Sequence, residues 1–85
     1  MLPFPTHFMT AKRWAAELLR IYRYERLPIL LEEDKWQEWG AHVAGVGVFK
    51  ENGIPSPTTV KGSGKVDNFK NWQEWAKAVY IIMIK

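Results

Sequence analysis

The tetrapeptide Gly-Ser-Gly-Lys at positions 62–65 shares residue types with a phosphate-binding loop. Such a loop needs another glycine five residues before the second glycine here, and a serine or threonine directly after the lysine. This chain has Thr59 and Val66 at those two positions, and no apolar strand leads into the segment. We therefore interpret residues 62–65 as a turn and expect no phosphate site there.

The residues that bind metals or transfer protons are few. The chain has no cysteine, and its two histidines, His7 and His42, have no second histidine four residues away that would complete a zinc site. The carboxylates of residues 32–34 and of Glu38 suit the first turn of a helix, where the helix dipole favours negative charge. A catalytic carboxylate pair would need one desolvated member with a raised pKa, and nothing in the sequence forces that. We expect no enzyme activity, no cofactor and no metal.

Basic side chains collect on one arc of the first predicted helix, namely Lys12, Arg13, Arg20 and Arg23. Two hypotheses account for this face. In the first, it meets the acidic run at 32–34 of the same or another copy, and so fixes partner and register. In the second, it binds nucleic acid, although no known DNA-binding motif supports this and the net charge of the whole chain is only +3.

Length and composition limit the class of protein further. The chain of 85 residues is one small domain, 1–85, with 47% hydrophobic and 25% charged residues, a globular composition. No apolar run approaches the roughly 20 residues of a membrane span, and the first ten residues do not form a signal peptide. The expectation is a soluble protein of the cytoplasm, or of a virion assembled there, with no membrane partner and no small-molecule substrate.

Hydrophobic periodicity predicts an all-α fold of three amphipathic helices, at about 10–26, 31–52 and 68–84. The last six residues of the third helix are β-branched enough to form a strand instead. An extended arm, 1–9, precedes the helices, and it docks on its own domain or reaches a neighbouring one. A Pro/Gly-rich connection, 53–67, contains a nearly palindromic segment that predicts a small β-hairpin over 59–66.

A tetrapeptide repeat relates the second and third predicted helices. Trp-Gln-Glu-Trp occurs at 36–39 and again at 72–75, and the same offset places Val43 on Val79 and Gly40 on Ala76. Two such units are too few for a solenoid, so a pseudo-symmetric pair of helices is predicted. Five tryptophans in the chain must fill an aromatic core or be buried against partners.

The second Trp-x-x-Trp turn is followed by Ala76 and preceded by the lead Ile54-Pro55-Ser56-Pro57. Over residues 34–84 this combination resembles small proteins encoded among the structural genes of tailed bacteriophages. The resemblance implies a virion component, of the tail or neck, whose short amphipathic helices associate around a symmetric part.

We therefore predict a non-enzymatic structural or assembly protein that works as a homo-oligomer or with other virion proteins. The alternative is a small monomeric nucleic-acid-binding or regulatory protein that uses the basic face of the first helix. In the leading hypothesis, apolar stripes pair between helices, Gly40 and Gly45 allow close approach, and the hairpin and the arm reach neighbouring subunits. The predicted interface residues are Trp36, Trp39, Val43, Val46, Trp72, Trp75, Val79 and Ile82.

Overall fold

A computed structural model describes residues 2–6, 8–22, 27–62 and 64–84. Four α-helices and one two-stranded antiparallel sheet follow an irregular N-terminal arm. The helices are α1 (Ala11–Tyr22), α2 (Trp36–Ala44), α3 (Gly47–Glu51) and α4 (Trp72–Met83), and the strands are β1 (Thr58–Lys61) and β2 (Gly64–Asp67). The mostly helical fold and the small hairpin are confirmed, whereas the count of three helices is not.

Helix α1 begins with two caps, one local and one distant. The Thr10 hydroxyl accepts a hydrogen bond from the backbone N–H of Arg13 at 3.1 Å, as its N-cap position predicts. The Glu33 carboxylate accepts two more, from the N–H groups of Ala11 at 2.6 Å and Lys12 at 3.1 Å. The Glu33 carboxylate thus interacts with the positive end of the α1 dipole, not with that of the helix that follows Glu33 in the chain.

The second predicted helix, 31–52, is interrupted. Residues 28–32 are not helical, a 3-10 turn covers Glu33–Lys35, and α2 ends at Ala44 before α3 begins at Gly47. Between the two helices, Val46 is extended (φ −125°, ψ 144°), and Gly47 has a φ of +47° that favours glycine. The glycines that lower helix propensity in this region therefore end one helix and allow the chain to turn into another.

The predicted hairpin is present and is one residue longer at each end than expected. Thr59 pairs with Val66 across the sheet, and Gly62 provides a positive φ of 58° at the turn. The Asn68 side-chain amide holds the base of the hairpin, donating to the Ser56 carbonyl at 3.0 Å and to the Thr59 hydroxyl at 2.7 Å. These bonds fix a hairpin that would be marginal by itself.

Helix α4 starts later than predicted. Strand β2 extends to Asp67, and Asn71 is the N-cap, its side chain accepting from the N–H of Glu74 at 3.0 Å. The predicted start at residue 68 was wrong because the Asn68 side chain is hydrogen-bonded to the base of the hairpin. At the other end, the helix continues to Met83, so the β-branched tail is helical rather than a strand.

One apolar core joins the arm, all four helices and the connections. Leu2 is buried in it and the Pro3 carbonyl accepts a hydrogen bond from Trp14, so this part of the arm docks on its own domain. No polar or charged residue among those described is buried. The buried apolar residues are Leu2, Ala11, Trp14, Ala15, Leu18, Leu27, Leu30, Trp39, Val43, Phe49, Ile54, Trp72, Trp75, Ala76 and Val79.

Gly40 is the closest approach of α2 to its neighbours. A β-carbon built at this position would lie 2.8 Å from Pro57 Cγ and 3.2 Å from Trp75 Cζ2. At Gly45 the nearest atoms are the carbonyl oxygens of His42 and Ala41, at 3.7 and 3.8 Å. Of the two glycines predicted to allow close approach, therefore, only Gly40 does so in this fold.

Replacing Glu33 by alanine should lower the free energy of unfolding by about 1 kcal/mol, because two N–H groups of α1 lose their acceptor. The neighbouring Asp34→Ala is a matched control, since this exposed carboxylate makes no hydrogen bond within the described residues. Its effect should stay within about 0.5 kcal/mol. Urea unfolding measures both, and equal losses would contradict the distant cap.

Gly40→Ala should destabilise the protein by about 1–2 kcal/mol, because overpacking against Pro57 exceeds the gain in helix propensity. Gly45→Ala, which introduces the same methyl group at ordinary van der Waals distance from its neighbours, should change stability by less than about 1 kcal/mol. Thermal unfolding of the two variants gives the comparison. A stabilised Gly40→Ala would show that α2 does not pack closely on Pro57.

Candidate protein interface

Three tryptophans form the centre of the molecule. The Trp75 ring lies between Trp14, with ring centroids 5.9 Å apart, and Trp39, with centroids 6.0 Å apart. Both contacts are close to perpendicular, at 74° and 85°, which is the edge-to-face arrangement that aromatic quadrupoles favour. The second tryptophans of the repeat, Trp39 on α2 and Trp75 on α4, therefore contact each other.

Each of these three indoles donates its N–H to the backbone carbonyl of a proline. Trp14 bonds to Pro3 at 3.0 Å, Trp39 to Pro28 at 2.7 Å, and Trp75 to Pro55 at 2.8 Å. In every case the proline lies in the non-helical segment that precedes the helix. The bonds satisfy the only polar atom of each buried indole and attach each connection to the core.

Five of the eight residues predicted as interface are buried inside this chain, namely Trp39, Val43, Trp72, Trp75 and Val79. Their surface is used within the core of a single chain. The other three, Trp36, Val46 and Ile82, are half-buried and pack against the edge of the same core. In this fold the tryptophan stripes thus form an aromatic core within one chain.

The predicted basic face is exposed, but nearby carboxylates partly neutralise its positive charge. Lys12 and Arg13 lie in the first turn of α1, where the Glu33 carboxylate binds the helix terminus. Arg20 forms an ion pair with Glu17 on the same helix, 2.6 Å between nitrogen and oxygen. Arg23 lies outside the described residues.

Titratable groups do not gather into a reactive cluster in the described part of the chain. No three histidine or carboxylate side chains lie close enough there to hold a metal ion. His42 is exposed on α2, and His7 is outside the described residues. Burial raises the pKa of the Tyr22 phenol, which packs edge-to-face on Phe49 with 5.4 Å between ring centroids and stays neutral at physiological pH.

A groove of about 370 Å³ lies between the segment 28–32 and one face of the helical region 35–42. Ile29 and Leu31 line it and are 68% and 74% exposed, whereas Leu30 between them is buried. Glu32 and Glu38 supply two carboxylates to its lining, and Lys35 supplies one ammonium group. An exposed pair of large aliphatic side chains beside a concave surface is typical of a protein-binding site.

The sequence interpretation missed Ile29 and Leu31 because it placed the start of a helix in this region. The available signal was Pro28 followed by Ile-Leu-Leu and then by acidic residues. Proline favours an extended preceding residue, and β-branched and aliphatic residues in a short run are compatible with a strand. The length of the segment decides between the two interpretations, since only four residues lie between Pro28 and Glu33.

A second apolar surface joins the arm to α4. The exposed Phe4 ring contacts Tyr80 edge-to-face, with centroids 5.2 Å apart, and the Lys77 ammonium lies 5.8 Å from the centre of the Phe4 ring. Ile81 and Ile84 are half exposed and follow Lys77 at helical spacing on the same side of α4. This surface has no residue in common with the lining of the groove.

Comparison with known proteins adds no relative. No protein-family model matches this chain, and no curated protein or solved structure matches it. Separately, none of the helices in the described residues has the length and hydropathy needed to cross a membrane.

Trp75→Phe should lower the free energy of unfolding by about 2–3 kcal/mol, since it removes the bond to Pro55 and leaves a void in the core. Trp36→Phe is the matched control from the same repeat. That ring is half-buried and its indole makes no hydrogen bond within the described residues, so the loss should be about 1 kcal/mol or less.

Chemical denaturation followed by far-UV circular dichroism measures both losses. Light scattering on the folded variants should give the same molar mass as the parent chain, because the substituted ring faces its own core. A loss of association without a loss of stability would instead show that Trp75 contacts another subunit.

Proposed function

We propose that this chain is a non-enzymatic structural or assembly protein whose partners are copies of itself. The single observation behind the proposal is the pair Ile29 and Leu31, which expose 68% and 74% of their surface beside a groove. Burying such side chains against a partner is favourable by about 25 cal/mol per Å² of apolar surface.

The aromatic core within a single chain also supports an assembly of folded copies. Because Trp14, Trp39 and Trp75 pack together within one chain, the fold does not need a partner to bury these three tryptophans. Association can then use surface residues without the chain unfolding when the partner leaves. A small folded unit of this kind suits an assembly built from many copies.

The virion of a tailed bacteriophage is the setting that we propose, in its tail or neck and with other virion proteins as neighbours. This part of the proposal rests on the resemblance of the two Trp-x-x-Trp turns. In that setting the two Trp-x-x-Trp helices support the fold, and the exposed aliphatic residues make the contacts between subunits.

The nucleic-acid alternative has less support. Arg20 is paired with Glu17, and the Glu33 carboxylate lies at the same end of α1 as Lys12 and Arg13. Carboxylates among the basic side chains reduce the favourable release of counterions from a phosphate backbone.

Light scattering over a wide concentration range should show a molar mass that rises above the 9.9 kDa of one chain. Retention on immobilised DNA, measured in parallel, should be weak and should not change when Arg13 and Arg20 are replaced by glutamine. A monomer at every concentration would contradict self-assembly. Salt-dependent DNA retention that disappears in those two variants would favour the alternative function.

A further inference from the structure

Residues 28–32 form a non-helical segment whose middle has no backbone hydrogen-bond partner among the described residues. Leu30 is buried and its two neighbours are exposed, the alternation of a strand, and Glu32 has extended torsion angles (φ −124°, ψ 128°). Within the described residues, no backbone N–H or C=O of residues 29–31 has a hydrogen-bond partner.

The two ends of this segment are attached to the rest of the fold. At one end, the Pro28 carbonyl accepts from the Trp39 indole at 2.7 Å. At the other end, the Glu32 carbonyl accepts from the N–H of Lys35 at 3.0 Å. Between these two fixed points, Ile29 and Leu31 are exposed and their backbone groups have no partner among the described residues, whereas Leu30 between them is buried. An exposed strand edge of this kind is a template for pairing with another strand.

We propose that this segment pairs antiparallel with the same segment of a second copy, about a two-fold axis at Leu30. This inference rests on the proposed function, self-assembly, and names the contact that produces it. In this register Ile29 lies opposite Leu31 of the second copy, and Leu31 lies opposite Ile29 of the second copy. A two-fold contact of this type is self-complementary, since both copies contribute the same surface.

The side chains agree with this register. Ile29 and Leu31 are two residues apart, so they lie on one face of the strand, and antiparallel pairing brings four aliphatic side chains together on that face. Cross-strand aliphatic pairs of this kind each contribute roughly 0.2–1 kcal/mol, and they remove from water the two exposed large aliphatic side chains of the groove lining.

Charge selects the antiparallel orientation over the parallel one. Parallel pairing would place Glu32 beside Glu32 of the second copy, with Glu33 and Asp34 following in both chains. Like charges directly opposite each other are destabilising. In the antiparallel register Glu32 lies opposite Pro28 instead, and the acidic runs of the two copies lie at opposite ends of the contact.

The extent of the contact sets its strength. Pro28 has no N–H and its carbonyl is already bound, so the paired stretch is limited to residues 29–31. Three residues a side bury much less than the roughly 1,200 Å² of a stable interface. The dimer is therefore weak and concentration-dependent, and it gains strength only where many copies are held close together.

The test compares two charged double variants by light scattering across concentration. Ile29→Lys with Leu31→Lys should weaken dimerisation by roughly tenfold or more, because four ammonium groups would meet across the contact. The control, Ile81→Lys with Ile84→Lys, adds the same charge at half-exposed positions on α4 and should change the dissociation constant by less than roughly threefold. Circular dichroism and the melting temperature verify that both remain folded.

Amide hydrogen exchange measures the backbone hydrogen bonds of the contact directly, independently of the side-chain substitutions. In the dilute parent chain, the N–H groups of Ile29 and Leu31 should exchange rapidly, since both residues are exposed and these groups have no partner among the described residues. At concentrations where the mass shows dimers, alternate amides of the segment should become protected, as antiparallel pairing requires.

The outcomes separate the two proposals. An oligomer whose mass is unaffected by the changes at 29 and 31, or whose amides there stay unprotected, overturns the strand pairing and leaves self-assembly standing through another surface. A parent chain that is monomeric at every concentration overturns both.

Discussion

The hydrogen bond from a buried indole to a proline carbonyl is the interaction on which the rest of this structure depends. It occurs three times, at Trp14, Trp39 and Trp75, and each time it connects a helix to the segment before it. A fully buried indole N–H is costly unless it finds an acceptor. The prolines meet this need because they keep their segments extended and non-helical, with carbonyls available to a side chain.

Much of the fold could be predicted from periodicity and turn chemistry. The face of α1, the hairpin around Gly62 and the helical conformation of the last predicted helix follow from rules that act over a few residues, whereas the start of α4 was predicted too early. The same rules could not decide whether Trp39 and Trp75 face their own chain or another. Both arrangements bury the same stripe, and only the position of the prolines relative to the three rings distinguishes them.

The candidate interface was harder to predict because distant residues determine it. Residues 28–32 are extended since Glu33 is committed to the N-terminus of α1, more than twenty positions earlier, and since Trp39 holds Pro28. A local interpretation assigns Glu33 to the following helix, predicted over 31–52, which places Leu31 in its first turn and leaves Ile29 in the connection before it. The break between α2 and α3 was easier to predict from the sequence, because the glycines in this region already indicated a weak helix.

The two attachments of the segment also affect the thermodynamics of any encounter. Ordering a free loop for strand pairing costs about 1–2 kcal/mol of backbone entropy per residue. Here the Trp39 indole and the Glu33 carboxylate restrain the chain on both sides of residues 29–31 during folding, so much of that entropy is lost before a partner arrives. The segment is preorganised, which lets a very short contact retain more of its interaction energy as affinity.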